Sequence, residues 1–255
     1  MGSAPEPILV RAPNPGPMTI DGTNTWIIPG PRGAVVVDPG PADPRHLAAV
    51  GGHGPIAAVL LTHRHADHSA ALGRLSERIP VHAASGRFAR VFDPVRDGQR
   101  IEAGGIALRV LRTPGHTADS VCFAYGDAAR GPILFTGDTL LGGRRASALS
   151  TLDGALGAYL ASLAMLASLT VPGSPEGCRG MPGHGPVIAD VAVHARSALE
   201  HRRSRLRALR AHLAAGGSRD PGAIALTRPP DRPERRKPAA VMIAQELRYL
   251  ALSAG

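Results

Sequence analysis

Thr62-His63-Arg64-His65-Ala66-Asp67-His68 follows directly on the apolar run Ile56 to Leu61. A short run rich in branched residues reads as a buried strand, so the histidines stand at a strand end. His63 and His65 are two residues apart, and in an extended or turning segment they point to the same side. Asp67 and His68 follow in the same loop, which can therefore supply donors to two neighbouring centres. Imidazole and carboxylate groups at this density are the donor set of zinc-like ions.

Further along the chain, His116, Asp138 and His184 each stand in a glycine-marked turn. These turns are Thr113-Pro114-Gly115-His116, Thr136-Gly137-Asp138-Thr139 and Met181-Pro182-Gly183-His184-Gly185-Pro186. Two ions held side by side lower the pKa of water between them to about 7, making it a nucleophile at neutral pH. One carboxylate has two oxygens to share between two cations, and Asp138 is the candidate bridge. Asp67 and Asp138 are thus the carboxylates assigned to catalysis. Asp38, at the end of the apolar run Ala34 to Val37, either orients a ligand histidine from behind or merely opens the turn Asp38-Pro39-Gly40. The other histidines (His46, His53, His82, His194, His201 and His212) lack such a setting and read as surface or helix residues.

The rest of the pattern alternates strands and helices. Strands are expected at Thr25 to Pro29, Ala34 to Asp38, Val81-His82, Ile106 to Arg112, Val121 to Tyr125 and Ile133 to Thr136. Helices are expected at Arg45 to Gly51 and Ala70 to Glu77. Ligands on loops along one edge of such a scaffold imply an α/β architecture, two sheets packed between helices. Ala155 to Val171 carries no charge, but Leu156, Leu160, Leu163 and Leu166 recur at helical spacing, as a core-packed helix requires. No membrane span is expected.

The chain has a net charge of +9 over 255 residues. Residues 1–193 hold 16 basic and 15 acidic side chains, and residues 194–255 hold 13 and 5. The division expected from this is a catalytic domain at 1–193 and a basic helical domain at 194–255. A long helix begins near His194 and ends at Gly216-Gly217, and a last one spans about Ala239 to Leu250. The basic part suits an acidic partner such as RNA, or is a solvated helix face. Cys122 and Cys178 form no Cys-x-x-Cys motif, and the N-terminus lacks the pattern of a secretory signal, so a cytoplasmic setting is the expectation.

These ordered motifs resemble those of the metallo-β-lactamase superfamily over about residues 8–193. The resemblance implies an αββα sandwich. It also implies that His63, His65 and His116 hold one metal, that Asp67, His68 and His184 hold the second, and that Asp138 bridges them. The expected cofactors are two divalent ions, zinc first, with manganese or iron also acceptable to this donor set. The opening Asn14-Pro15-Gly16-Pro17-Met18-Thr19-Ile20-Asp21-Gly22-Thr23-Asn24-Thr25-Trp26 resembles the β-lactamase-like-protein-2 group of endoribonucleases and thioester-cleaving enzymes. The resemblance implies a small winged-helix-like C-terminal part, expected here in a truncated form. Arg144 and Arg145, after the Asp138 loop, are candidate substrate-binding residues for a phosphate or carboxylate.

Two substrate classes suit the same site. A phosphodiester of single-stranded RNA is the leading expectation, because the basic C-terminal part suits a polyanion. The alternative is a thioester, of the glyoxalase II or polyketide-releasing kind. A β-lactamase, or a binding protein without turnover, ranks below both. Assembly as a homodimer is left open.

Overall fold

The computed structural model describes residues 5–127, 131–143, 147–150, 153–170, 177–227 and 236–252. Two five-stranded sheets stack face to face. The first contains β1 (Ile8–Arg11), β2 (Asn24–Ile28), β3 (Ala34–Val37), β4 (Ile56–Leu60) and β5 (Val81–His82), side by side in that order. The pairs β1/β2 and β2/β3 are antiparallel, and β3/β4 and β4/β5 are parallel. The second contains β6 (Arg100–Ala103), β7 (Ile106–Arg112), β8 (Val121–Asp127), β9 (Gly131–Gly137) and β10 (Arg179–Pro182). Its order is β10-β9-β8-β7-β6, and only β9/β10 is parallel.

Alternation along the strands divides the apolar side chains between three layers. Trp26, Ile28, Val35, Val37 and Leu60 face Val110, Phe123, Phe135 and Met181 between the sheets. Their neighbours Ile27, Val36 and Val59 point outward, against Val50 of α1 (Pro44–Gly51) and Leu72. On the opposite outer face, Cys122 and Leu134 pack under α3 (Leu156–Ala167) and the C-terminal helices. The architecture is therefore the expected layered α/β sandwich, helices outside and two sheets within.

The C-terminal helices are α4 (Val191–Ala214), α5 (Pro221–Thr227) and α6 (Arg236–Leu252). The long helix starts at Val191, where Asp190 caps it by accepting from the Val193 amide. Its residues Leu199, Leu206 and Leu209 share one core with Leu134 and Leu163, and Ile224, Met242 and Ile243 complete that core. Among the described residues, no helix is long and apolar enough to cross a membrane.

Several local expectations are corrected. Ala70 to Glu77 is a short 3-10 turn over Ala70–Arg74 instead of a helix, with Leu75 already extended. Gly73 inside this segment weakens helical propagation. Strands β1, β6 and β10 and helix α5 add to the expected elements. His82 is buried in β5 instead of lying on the surface or a helix, and His46 lies in α1, one of the two settings expected, although it is buried there. His46 Nε2 meets the Thr25 hydroxyl at 2.9 Å, and the His82 ring stacks on Phe92.

Candidate metal centre

Strand ends bring the site together. β4 runs out at Leu60 and the chain turns through Thr62 to His65, where the short helix α2 (Ala66–Ser69) begins. That single turn places Asp67 and His68 beside His63 and His65. His116 lies in the turn between β7 and β8, Asp138 directly follows β9, and His184 lies two residues past β10. The seven sequence-marked side chains converge on one spot at the edge of the sandwich.

The ring nitrogens face one another in two groups. His65 Nδ1 is 3.0 Å from His63 Nε2 and 2.9 Å from His116 Nε2. His184 Nε2 is 3.2 Å from both His68 Nε2 and Asp67 Oδ2. Asp138 lies between the groups, its Oδ2 at 3.6 Å from His116 Nε2 and 3.5 Å from His184 Nε2. Its Oδ1 is buried and has no hydrogen bond, although His68 Nε2 is 3.5 Å away.

This arrangement fits a pair of divalent ions. Donors 2.0–2.1 Å from one tetrahedral ion are about 3.3 Å apart, close to the spacing seen in each group. One ring nitrogen offers either a single proton or a single lone pair, yet His65 Nδ1 faces the Nε2 atoms of both His63 and His116, so hydrogen bonding alone does not satisfy the group. A shared cation satisfies all three lone pairs. Gly183 leaves the necessary space, because a Cβ there would come within 2.5 Å of Asp138 Oδ1 and 2.6 Å of His68 Cε1.

His68, His116 and His184 are oriented from behind. Asp38 accepts from the Thr62 amide at 2.8 Å and the Thr62 hydroxyl at 2.7 Å, and its Oδ2 lies 2.9 Å from His68 Nδ1. Asp38, His63 and His68 are close enough to suggest a third cluster. Yet both Asp38 oxygens are already engaged, and His68 presents its other nitrogen to His184 and Asp138. We therefore read Asp38 as the residue that orients His68. It does so from a left-handed backbone, φ 53°.

His116 Nδ1 meets the Ser147 hydroxyl at 3.0 Å and also the Ala148 carbonyl. His184 Nδ1 lies 3.2 Å from the Gly22 carbonyl, and the Thr23 hydroxyl donates to Asp67 Oδ2 at 3.0 Å. Asn24 Nδ2 donates to the carbonyls of Pro182 and Gly185, on either side of His184. Sequence reasoning missed Gly22, Thr23, Ser147 and Ala148. A usable signal was the polar run Thr23-Asn24-Thr25 at the start of an apolar strand, where all three residues are fully buried.

Arg64 and Arg202 extend the framework. Arg64 pairs with Asp153 and donates to Ser150 Oγ at 3.1 Å, tying the His-x-His loop to the segment carrying Ser147 and Ala148. Arg202 of α4 is buried; it donates to the Ser147 carbonyl and lies over the Tyr159 ring, 5.6 Å from its centroid. Arg144 and Arg145 lie outside the described residues.

Electrostatics divide the donors into two kinds. Burial pushes His116 down to about 4 and His63 well below its ordinary value, so both are neutral near pH 7. Burial also opposes charge on His184, but Asp138 and Asp67 outweigh it and push His184 up to about 10. His68 is likewise raised, by Asp138 and Asp38 against burial. Burial works against ionisation of Asp67 and Asp138, yet the neighbouring histidines hold both carboxyls far below the usual range. His65 and Asp67 are half-buried and the other five donors are buried, so the site meets solvent past these two.

Comparison with known proteins agrees with this reading. The profile of the Metallo-beta-lactamase superfamily matches residues 18–91 and 83–172. The chain is 34% identical to the "Lactamase-like protein aptB" of Emericella nidulans, over 86% of this chain and 70% of that protein. It is also 34% identical to the "Atrochrysone carboxyl ACP thioesterase" of Aspergillus chevalieri, over 80% of this chain and 63% of that protein. The chain thus spans roughly two thirds of the length of these relatives. A metallo-beta-lactamase family protein from Thermus thermophilus superposes with a TM-score of 0.76 at 24% identity, covering 97% of this chain and 94% of its own, a likeness of fold. The profile covers more than half of the sequence, and the chain belongs to the metallo-beta-lactamase superfamily as one of its hydrolases.

Proposed function

We propose that the protein is a metal-dependent thioester hydrolase that releases acyl groups from a thiol carrier. The observation that carries this reading is the 34% identity, over 213 residues, to a relative named as a carboxyl ACP thioesterase. A second relative of that name, from Aspergillus terreus, is 32% identical over 212 residues. Both favour the thioester over the RNA phosphodiester that the basic C-terminal sequence suggests.

The arginines of that segment support the change. Arg202 is buried against Tyr159 and Ser147. Arg205 makes a two-pronged pair with Glu246, at 2.7 and 3.1 Å, and Arg207 pairs with Glu200. Arg196 donates to the Ala167 carbonyl. Arg202 is thus withdrawn into the fold and Arg205 and Arg207 are matched by carboxylates, which leaves less of this charge free for a polyanion than the count suggests.

In this reading His63, His65 and His116 would hold one ion and Asp67, His68 and His184 the other, with the Asp138 carboxylate available to both. Two divalent ions bound there supply Lewis acidity toward the thioester carbonyl and activate water at neutral pH. The chain's own part is positional. Ser147, Ala148, Asp38 and Gly22 engage the Nδ1 atoms of His116, His68 and His184, which turns each Nε2 toward the centre. Thr23 fixes the Asp67 carboxylate at the rim, and the buried sheet edge behind the site keeps bulk solvent to one side.

The test is a parallel assay of zinc- and manganese-loaded protein on a thioester panel and on end-labelled single-stranded RNA, with Asp67→Ala as the blank. Thioester turnover that disappears in the blank, with RNA left intact, is expected. RNA cleavage lost in the blank, without thioester turnover, would overturn the proposal.

A further inference from the structure

A groove runs along the outer face of the molecule between α3 and α4. Its floor is apolar, formed by Leu160, Ala161, Ala164, Leu199 and Leu206, and Tyr249 of α6 closes one end over Gly157. On α3 the lining positions 157, 160, 161 and 164 recur at helical spacing and are mostly small, so a third helix could approach closely. On α4 the rim carries Arg203, Arg207 and Arg210, all exposed. Their spacing sets them in one stripe along the helix. Arg207 is paired with Glu200, whereas among the described residues neither Arg203 nor Arg210 has an ion-pair partner.

The groove's length and chemistry specify its occupant. Positions 199 to 210 of α4 extend about 16 Å along the axis, three turns of helix. An amphipathic helix of that length, with an apolar stripe edged by carboxylates, matches both floor and rim. A nucleic-acid strand fits less well, because the floor offers Tyr249 alone for base stacking.

The groove and the site lie on different sides of the same helix, α3. The Ala155 amide, just before α3, donates to the Gly115 carbonyl at 3.0 Å. Gly115 lies so close to the first turn of α3 that a Cβ on it would be 2.3 Å from Tyr159 Cα. The next residue is His116.

We infer that this groove docks an acidic amphipathic helix of the acyl carrier protein that delivers the thioester, held by Arg203 and Arg210 over an apolar floor on the outer side of the helix that backs the His116 turn. The inference rests on the thioester reading for its substrate, but docking is measurable without turnover.

The experiment uses the metal-loaded full chain and its double variant Arg203→Glu/Arg210→Glu. The substrates are an acidic acyl carrier protein loaded with an acetyl group on its phosphopantetheine, and acetyl-N-acetylcysteamine. In the variant, kcat/KM on the carrier substrate is expected to fall at least about tenfold, with the small thioester within about twofold of wild type. Ala161→Trp, which fills the groove without touching an arginine, is expected to act the same way. Carrier kinetics unchanged in the double variant, or falling in parallel with the small thioester, overturn the docking.

Anisotropy of the fluorescently labelled carrier separates the two failures. If wild type hydrolyses neither thioester, the functional reading fails. Charge-reversal loss of carrier binding then still supports the groove, and unchanged binding overturns it. Arginine-dependent binding of single-stranded RNA in place of the carrier also overturns it.

Discussion

Asp38 reaches the candidate site only through its hydrogen bonds to Thr62 and His68. A non-glycine residue at φ 53° costs of order 1 kcal/mol or more, and asparagine and aspartate tolerate it best. Here the conformation aims a carboxylate at His68 Nδ1 and at both donors of Thr62. Asp38→Asn should keep the backbone, but its amide nitrogen would face His68 Nδ1 and drive the ring proton to Nε2. Metal affinity is expected to drop about 10- to 100-fold by chelator competition, with little change in the melting temperature of the metal-free protein. An unaltered affinity would show that Asp38 serves the turn alone. Asp138→Ala removes the shared carboxylate itself. Metal content is expected to fall below two ions per chain, and turnover by more than the ~100-fold that an outer partner costs. The titration of the donors gives a third expectation. Without metal, His184 keeps a proton up to about pH 10, and His68 is shifted the same way. An entering cation displaces those protons, so loading should acidify a weakly buffered solution at about pH 7.5. Apparent affinity should rise by about one log unit per pH unit for each proton displaced. Loading without proton release would refute the charge state assigned to the ion-free site.

At the scale of elements, the turns that carry the donors are constrained by what lies behind them. Gly115 has φ 141° and rests on the backbone of α3 at Tyr159. Gly115→Ala meets a backbone obstacle in an unfavourable conformation, so α3 must move and His116 with it. A loss of about 1–3 kcal/mol for the backbone alone is expected, read as a lower melting temperature together with weaker metal retention. The same elements show what was legible in the sequence. Ile56 to Leu61 and Ile133 to Thr136 announced themselves as apolar strands, and the Gly/Pro punctuation after each strand marked the donor loops. β10 was hidden because Arg179-Gly180-Met181-Pro182 contains a glycine and a proline, and β1 because its side chains are mostly exposed at a sheet edge. β6 alternates over only four residues, too few for a periodic signal. Ser147 and Ala148 were invisible for a different reason. Their contribution to His116 is a hydroxyl and a backbone carbonyl brought in by tertiary packing, and neither has a spacing to read.

The whole molecule gives the basic C-terminal part a role that charge counting does not suggest. Leu199, Leu206 and Leu209 of α4 share a core with Leu134 of β9 and with Leu163 and Leu166 of α3. Arg202 reaches from α4 to the Ser147 carbonyl, and the Ser147 hydroxyl meets His116. Glu246 of α6 lies 4.0 Å from Arg202 and pairs with Arg205, so the last helix supports the same contact. A chain ended at residue 193 would lose all of these and expose to water the apolar face of α3 and the part of the β8 and β9 face that α3 does not cover. Fully burying each of the three leucines is worth about 1.5–3 kcal/mol, a sum comparable to the whole stability of a typical domain. The truncated chain is therefore expected to be aggregated or unfolded by circular dichroism, and to retain less metal at the His116 side. A truncated chain that melts cooperatively and binds two ions would instead make residues 194–255 a separable domain. Arg202→Met distinguishes the buried contact from the bulk of the helix, since it keeps most of the volume and removes the donor to Ser147 together with the charge over Tyr159 and beside Glu246. It should fold, melt a few degrees lower, and release metal to a chelator faster than wild type, as expected if α4 acts on His116 through Ser147.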